Sequence, residues 1–311
     1  MHLPPHIRRL IEDRADAVGF AAVKRAAGAM SDAYREGGAS AAAAHLPAAE
    51  RTAAYMVTRM PATFAAAHRV LGEVRERLQA SPIATILDVG AGTGAASLAA
   101  RHWFPDAAIT LLERDSAFAD AARECLPGVS VRLENAARLE AFPPHDLVVA
   151  SYSLNELPPS VVLRLWAAAR VALVAIEPGT PTGFTLIREV RGQLLGRGAR
   201  MIAPCPAETP CPLAAPDWCH FASRVERSSL HRRVKDANLN YEDEKFSYVA
   251  LSREPAALAP ARIIRRPEHH PGLVVLEVCR ADGTGALRVP RRDRPAFRAA
   301  RGATWGDPWT A

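Results

Sequence analysis

Ile86-Leu-Asp-Val-Gly-Ala-Gly-Thr-Gly-Ala95 reads as a buried strand running into a glycine turn that opens a helix. Gly90, Gly92 and Gly94 occupy the turn, where residues lacking a Cβ let the backbone bend sharply and a ligand approach closely. A bare G-x-G-x-G is a weak signal, so its surroundings decide. Asp88 precedes it on the strand, and Glu113 closes the next apolar run 19 residues beyond Gly94. A carboxylate there can accept both ribose hydroxyls of an adenosine ligand. Dinucleotides and S-adenosylmethionine both use this arrangement. The Asp-x-Gly-x-Gly-x-Gly form points to the methyl donor, with the acidic strand residue organising the loop around the methionine part. Asn135, just after the third apolar run, is placed to meet an adenine edge or to serve as a turn residue.

Outward from this motif, short apolar runs alternate with helical stretches: residues 83–89, 109–112, 129–133, 147–151 and 171–176. That rhythm predicts a parallel sheet covered on both faces, an α/β, Rossmann-like methyltransferase fold. Residues 1–80 read as a helical N-terminal domain, Ala-rich with apolar residues at helical spacing, broken by Gly37-Gly38 and Pro47. The methyltransferase domain spans residues 81–255. It carries a Gly-, Pro- and Cys-rich insertion at about 188–244, before a late strand at 246–251. Residues 256–311 alternate like strands around a turn at 282–285 and predict a small, basic C-terminal β module.

The fourth run leads into Ser151-Tyr-Ser-Leu-Asn-Glu156, at the sheet edge where such folds bind ligands. It is not the Asn/Asp-Pro-Pro-aromatic tetrapeptide that holds an exocyclic amine in line with a methyl group. Asn155 and Glu156 are the catalytic candidates, with helix capping before Pro158-Pro159 as the competing role. No general base is assigned.

The 311 residues carry a formal charge of +6 and five cysteines, ordinary globular values except for 62 alanines. Charge and cysteine become informative once located. Residues 1–180 hold 18 basic and 19 acidic residues, whereas 181–311 hold 21 and 14. The most apolar stretch, residues 161–176, is interrupted by Arg164 and Arg170, and the start lacks a signal-peptide core, so a cytoplasmic protein is expected. In a reducing compartment, clustered thiols hold metals or do redox chemistry more often than they form disulfides.

Cys205, Cys211, Cys219 and Cys279 follow a C-x5-C-x7-C-x59-C spacing. Four thiolates can complete a tetrahedral zinc site or an iron–sulfur cluster. The close knuckles typical of zinc are missing, and wide spacing with Cys-Pro steps suits a cluster better. Cys279, within an apolar run, reads on its own as a buried strand thiol, and Cys125 as core packing. His220 is either a substitute ligand or a hydrogen-bonded neighbour. Thr209-Pro-Cys211 could instead supply the nucleophile of a 5-methylcytosine enzyme, although it lies in the insertion and not at a strand end.

Arg224, Arg227, Arg232, Arg233 and Lys235 follow the third cysteine, and ten more arginines lie between Arg262 and Arg301. Such a surface can neutralise RNA phosphates; a solvated basic face is the plainer reading. The chain also resembles the methyltransferase-like assembly factors of the mitochondrial small ribosomal subunit and their bacterial relatives. The resemblance is carried by Asp88-Val-Gly-Ala-Gly-Thr-Gly94, Ser153-Leu-Asn-Glu-Leu157, Glu177-Pro-Gly-Thr-Pro-Thr-Gly-Phe184, Cys211-Pro-Leu213, Asp217-Trp-Cys-His-Phe221, Tyr241-Glu-Asp-Glu-Lys-Phe-Ser-Tyr248 and Trp305-Gly-Asp307. It implies S-adenosylmethionine as cofactor and a 4Fe-4S cluster on Cys205, Cys211, Cys219 and Cys279, with zinc displaced. It also implies the small ribosomal subunit or its rRNA as partner. The function implied is either an rRNA methyltransferase or a catalytically silent, RNA-binding assembly factor.

Overall fold

Strand β1 (Thr85–Val89) pairs in parallel with β2 (Ala108–Glu113) on one side and β4 (His145–Ser151) on the other. The computed structural model describes residues 1–35, 45–78 and 81–310; the expected helix break at Gly37-Gly38 lies outside them. β3 (Ser130–Leu133) extends the sheet from β2, and β5 (Ala169–Pro178) from β4. β8 (Tyr241–Ser252) runs antiparallel to β5, and β6 (Arg200–Ala203) antiparallel to β8. The order β3-β2-β1-β4-β5-β8-β6, with one reversed strand next to the edge, is that of a Rossmann-like methyltransferase sheet.

Successive strand residues bury to opposite faces, as a pleated strand requires. Ile86, Leu147 and Val149 enter one core, and Leu87, Val89 and Val148 the other. Helices α7 (Val161–Ala168) and α8 (Pro181–Leu195) cover the second face. On the first face, α5 (Ala95–Trp103) and α6 (Ser116–Cys125) pack with the N-terminal helices α1 (Pro5–Val18), α2 (Phe20–Arg35), α3 (Ala48–Thr58) and α4 (Met60–Arg77). Ile7, Val23, Met56 and Leu71 belong to the same core as Ile86. The helices expected to form a separate lead-in domain therefore share the sheet's own core. Alanine makes this possible: Ala53, Ala54, Ala66 and Ala67 are fully buried, and such small side chains let helices approach at no rotamer cost.

The excursion from the sheet is shorter than the expected 188–244. Residues 188–203 complete α8 and form β6, and β7 rejoins the sheet at 221–226, so the chain leaves it only from 204 to 220 and from 227 to 240. Neither β6 nor β7 (Phe221–Glu226) is among the strands the sequence predicts. Four residues carry too little period to read, and the alternation of β7 is obscured by its basic and cysteine-rich flanks. β7 pairs with the first half of β8, Phe221 opposite Phe246, and α9 (Ser229–Val234) fills the connection.

The C-terminal module is a second sheet of β9 (Ala261–Ile263), β10 (Glu268–His270), β11 (Leu273–Arg280), β12 (Gly283–Pro290) and β13 (Pro308–Trp309), with α10 (Arg294–Gly302) beside it. Ile263, Val274, Leu276, Val278 and Trp309 form its own core. Its hairpin turns at Ala281-Asp282, because Arg280 pairs with Gly283, one step earlier than the expected 282–285. Among the described residues, no helix is long and apolar enough to cross a membrane.

Candidate functional site

Register brings the first site together. Val89 stands opposite Leu112 and Ala150, so Gly90, Glu113 and Ser151 leave the sheet side by side at its carboxyl edge. They open onto a cavity of about 560 Å³, within the ordinary range for small-molecule sites. Gly90, Gly92, Glu113, Asn135 and Glu156 line it. Glu113 accepts the Gly92 amide on Oε2 at 2.8 Å and the Arg114 and Asp115 amides on Oε1, both at 2.8 Å. Burial pushes its carboxyl up and these backbone bonds partly offset the rise. Gly90 has φ +70°, and a Cβ there would lie 2.6 Å from the Ser153 Cβ, so only glycine lets the two loops touch.

Asp88 does not line the cavity. It is fully buried beneath the loop, accepts the Ser97 hydroxyl on Oδ2 at 2.6 Å, and keeps Oδ1 without a partner. Burial, only partly opposed by Ser97, pushes it up to about 6. Asn135 both lines the cavity and caps the turn at 136–138 through the Ala137 amide. Asn155 is exposed and outside the cavity lining, whereas Glu156 lines it and pairs with Arg114 at 2.9 Å. Neither caps α7, whose N-cap position is Ser160.

The loop carrying Asn155 and Glu156 hangs on Glu177, at the end of β5. The Leu154 amide donates to its Oε1 at 2.8 Å, the amides of Asn155 and Ser153 also point to it, and Oε2 is unpartnered. Burial outweighs these bonds and pushes the carboxyl from 4.5 up to about 7. The folded value lies above the unfolded one, so the contribution to stability is full below pH 4.5 and is lost as pH rises through about 7. A neutral Glu177→Gln side chain escapes that loss. In urea melts it is expected to exceed the parent by on the order of 2 kcal/mol at about pH 8, the gap closing toward pH 4.5. Parallel pH profiles for the two proteins would refute this assignment.

A second cavity lies beyond β8. Cys205 follows β6, Cys211 and Cys219 come from the excursion, Cys279 comes from β11, and all four line it, with Phe184, Leu213 and Ile264 packed around. Burial, then the other three thiols, raises Cys219 well above the usual range; burial and its neighbours push Cys279 up to about 11. Two buried cations stand beside them. Arg191 donates to the carbonyls of Ala207 and Thr209 and leaves Nε unpartnered, and Arg262 donates to the Pro204 carbonyl at 2.8 Å. Among the described residues, no three His, Cys, Asp or Glu side chains converge tightly enough to hold a single ion. His220 stacks on Trp218, meets Trp305 edge-on, and does not line this cavity. Cys211 faces the other thiols and not the cofactor cavity, which removes the geometry a 5-methylcytosine nucleophile needs. Cys125 is buried in the core, its thiol pushed up to about 12 by burial.

The basic cluster is largely committed. Arg224 forms two bonds with Asp243, at 2.9 and 3.1 Å, over the Tyr241 ring. Arg227 and Lys235 share Glu242, at 2.8 and 3.0 Å. Arg233 covers the Phe20 ring, and Arg232 has its Nε buried without a partner. Arg224, Arg227 and Lys235 fasten β7 and α9 to β8, so the charge of these three is answered within the protein. The sequence grouped the cations without showing that Glu242-Asp243 would lie opposite them.

Residues 49–310 match the family described as mitochondrial small ribosomal subunit Rsm22. The chain belongs to this family. It is 31% identical over 287 residues to the human ribosome assembly protein METTL17, mitochondrial, across 81% of this chain, and spans 61% of that protein's length. Among solved structures, the magnesium protoporphyrin IX methyltransferase of Synechocystis PCC 6803 is 13% identical, with a TM-score of 0.37 over 60% of this chain and 79% of that one. The amino pentose methyltransferase CalS10 of Micromonospora echinaspora is 18% identical, with a TM-score of 0.33 over 75% and 82%. Family membership rests on the first two matches.

This Rsm22-family chain also holds site residues that the motifs do not reveal. Arg51 and Tyr55 of α3 line the first cavity, Arg51 ion-paired to Asp115 and placed over the Phe118 ring, Tyr55 edge-on to the same ring. In the sequence Tyr55 is one more apolar position on a helix. Tyr152, at φ 56°, holds the bend after β4 with its hydroxyl on Glu244. A bulky residue in the left-handed region marks local strain at the site.

Proposed function

We propose that this chain is an S-adenosylmethionine-binding, RNA methyltransferase-like factor of the small ribosomal subunit or its rRNA. The observation that carries the reading is the meeting of the Gly90–Gly94 turn and Glu113 around one cavity, above the unpartnered oxygen of Asp88, in an Rsm22-family chain. When bound, the cofactor supplies an electrophilic methyl on its sulfonium. The protein's part is to hold an acceptor in line and exclude water. Glu113 would receive ribose hydroxyls, since its Oε2 keeps acceptor capacity beyond the Gly92 amide. Asp88 would hold the loop for the methionine part, and Asn135 would meet the adenine. Cytoplasmic placement is part of the same proposal.

The second cavity supports a structural 4Fe-4S cluster on Cys205, Cys211, Cys219 and Cys279. Four thiolates cannot share a buried space without a compensating cation, which the raised thiols express directly. Thiols spread around a cavity suit a polynuclear group, one per iron, better than a single zinc ion. Arg191 and Arg262 would offset the remaining negative charge.

A second reading, an RNA-binding assembly factor without turnover, is favoured by one feature. Glu156, the acid at the cavity mouth, is occupied by Arg114. Calorimetry with S-adenosylmethionine, followed by radiolabelled methyl transfer to small subunits from a deletion strain, separates the two. Binding with transfer supports the enzyme, binding without transfer the silent factor, and no binding removes the cofactor from both. Gly90→Ala is expected to weaken cofactor binding at least about tenfold, since its Cβ must displace the Ser153 loop. Unchanged affinity would detach that loop from the site.

A further inference from the structure

The excess positive charge of residues 181–311 lies uncommitted at one place, on the C-terminal module. From Gly283 to Gly302 there are six arginines and one acid, Asp293, whose carboxylate is turned to the amides at the start of α10. Ala300 is buried and Phe297 half-buried against the module's core, which fixes the opposite face of the helix outward. Arg294, Arg298 and Arg301 recur at the four- and three-residue steps that stack side chains on one helix face. They advance about 6 Å and about 4.5 Å along the axis. Arg291, in the turn before the helix, joins them, and with Phe297 these four line one open groove of about 550 Å³.

All four are exposed, and none makes an ion pair or side-chain hydrogen bond with a described residue. The contrast with Arg224, Arg227 and Lys235 is direct: those cations have carboxylates opposite them and these do not. A plain solvated face is the alternative reading. It leaves unexplained why like charges at helical spacing, which repel one another, stand together with a single acid among them, Asp293, whose carboxylate is taken by the Ala296 amide. A row of phosphates relieves that repulsion. Guanidinium forks match phosphate oxygens two at a time, and the Phe297 ring gives the groove an apolar floor for a sugar or base.

We infer that the arginine comb on α10, with Arg291, Arg294, Arg298 and Arg301 around Phe297, is a contact surface for the phosphate backbone of RNA. The inference rests on the reading of this chain as a small-subunit rRNA factor and names where on the molecule the rRNA is gripped. Such contacts position the RNA and do not read its sequence.

The test uses the full chain and in-vitro-transcribed small-subunit rRNA, titrated between about 50 and 200 mM salt. In Arg291→Gln/Arg294→Gln/Arg298→Gln/Arg301→Gln, affinity is expected to fall at least about tenfold. The slope of log K against log salt should shrink by about 3, near four phosphate contacts at single-strand or duplex values. Arg224→Gln/Lys235→Gln should shift the slope by less than about 1. Hydrogen exchange on the unaltered protein gives a reading that does not depend on how the variant folds: amides of residues 294–302 should slow when the rRNA is added. If the parent protein binds the rRNA and the fourfold variant keeps its affinity and slope, or these amides exchange unchanged, the inference is overturned and the rRNA reading stands. If the parent protein does not bind the rRNA, that reading fails first. Displacement of the rRNA by polyglutamate at equal charge would reassign the comb to an acidic protein.

Discussion

Replacing Arg262 with methionine is expected to destabilise the protein by about 3 to 5 kcal/mol, the range for removing one partner of a buried ion pair. Arg262 is 2% exposed, and three separate parts of the chain meet at its guanidinium. It is ion-paired to Glu73 of α4, donates to Pro204 beside the first cavity cysteine, and donates to the Gly306 carbonyl at 2.8 Å. Glu73 also accepts Tyr248 of β8 at 2.7 Å and Arg77 at 3.0 Å. Burial alone would push Glu73 up, but Arg262 outweighs it, with help from Tyr248 and Arg77, and holds the carboxyl below its ordinary value. That stability is present above pH 4.5 and is lost as pH falls through the lower folded value. In Arg262→Met the carboxylate stays buried with less compensation, so the deficit should be largest near neutrality. Glu73→Gln/Arg262→Met removes the stranded charge and should recover part of the loss. Denaturant melts of the three proteins read this directly; a single variant within about 1 kcal/mol of the parent would show the pair to be incidental.

The first site was legible because its signals are local. Asp88, the three glycines and Glu113 each mark a strand end or a turn, and parallel pairing then brings strand ends together by rule. What the sequence withholds is what crosses between elements. Arg51 and Tyr55 reach the cofactor cavity only because α3 packs into the sheet's core, and nothing in their own helix says so. Cys279 taken alone reads as a strand thiol; only the family resemblance groups it with Cys205, Cys211 and Cys219, whose cavity it reaches through β11. The arginines show the same gap in reverse. In the run at residues 224–235, Arg224, Arg227 and Lys235 are answered by Glu242-Asp243 on a strand whose pairing with β7 could not be foreseen. The equally dense set at residues 291–301 stays free because no acid among the described residues is folded against it. Glu177 was quoted only as part of a family motif, and its role as the anchor of the loop at 153–155 appears only once β4 and β5 are seen side by side.

Cys219→Ser is expected to abolish the visible absorption and acid-labile sulfide of anaerobically purified protein, and Cys125→Ser to leave both intact. Burial raises both thiols, so the contrast isolates position from burial. Cys219 is raised by burial and then by the other three cysteines, as expected of thiols that share one space and need a cation among them before they ionise. Cys125 is raised mainly by burial and stays a core thiol. Cys279→Ser is the sharper member of the series. Cys279 belongs to β11 and Cys205 follows β6, so a cluster held between them would tie the C-terminal module to the methyltransferase sheet. Losing that tie is expected to cost at least about 3 kcal/mol, or roughly 6 to 12 °C in Tm, because a bound metal centre contributes to folding as well as to function. Retention of the chromophore in Cys279→Ser would return this residue to the role of a strand thiol. One equivalent of zinc with no sulfide in the parent protein would replace the cluster with a single ion.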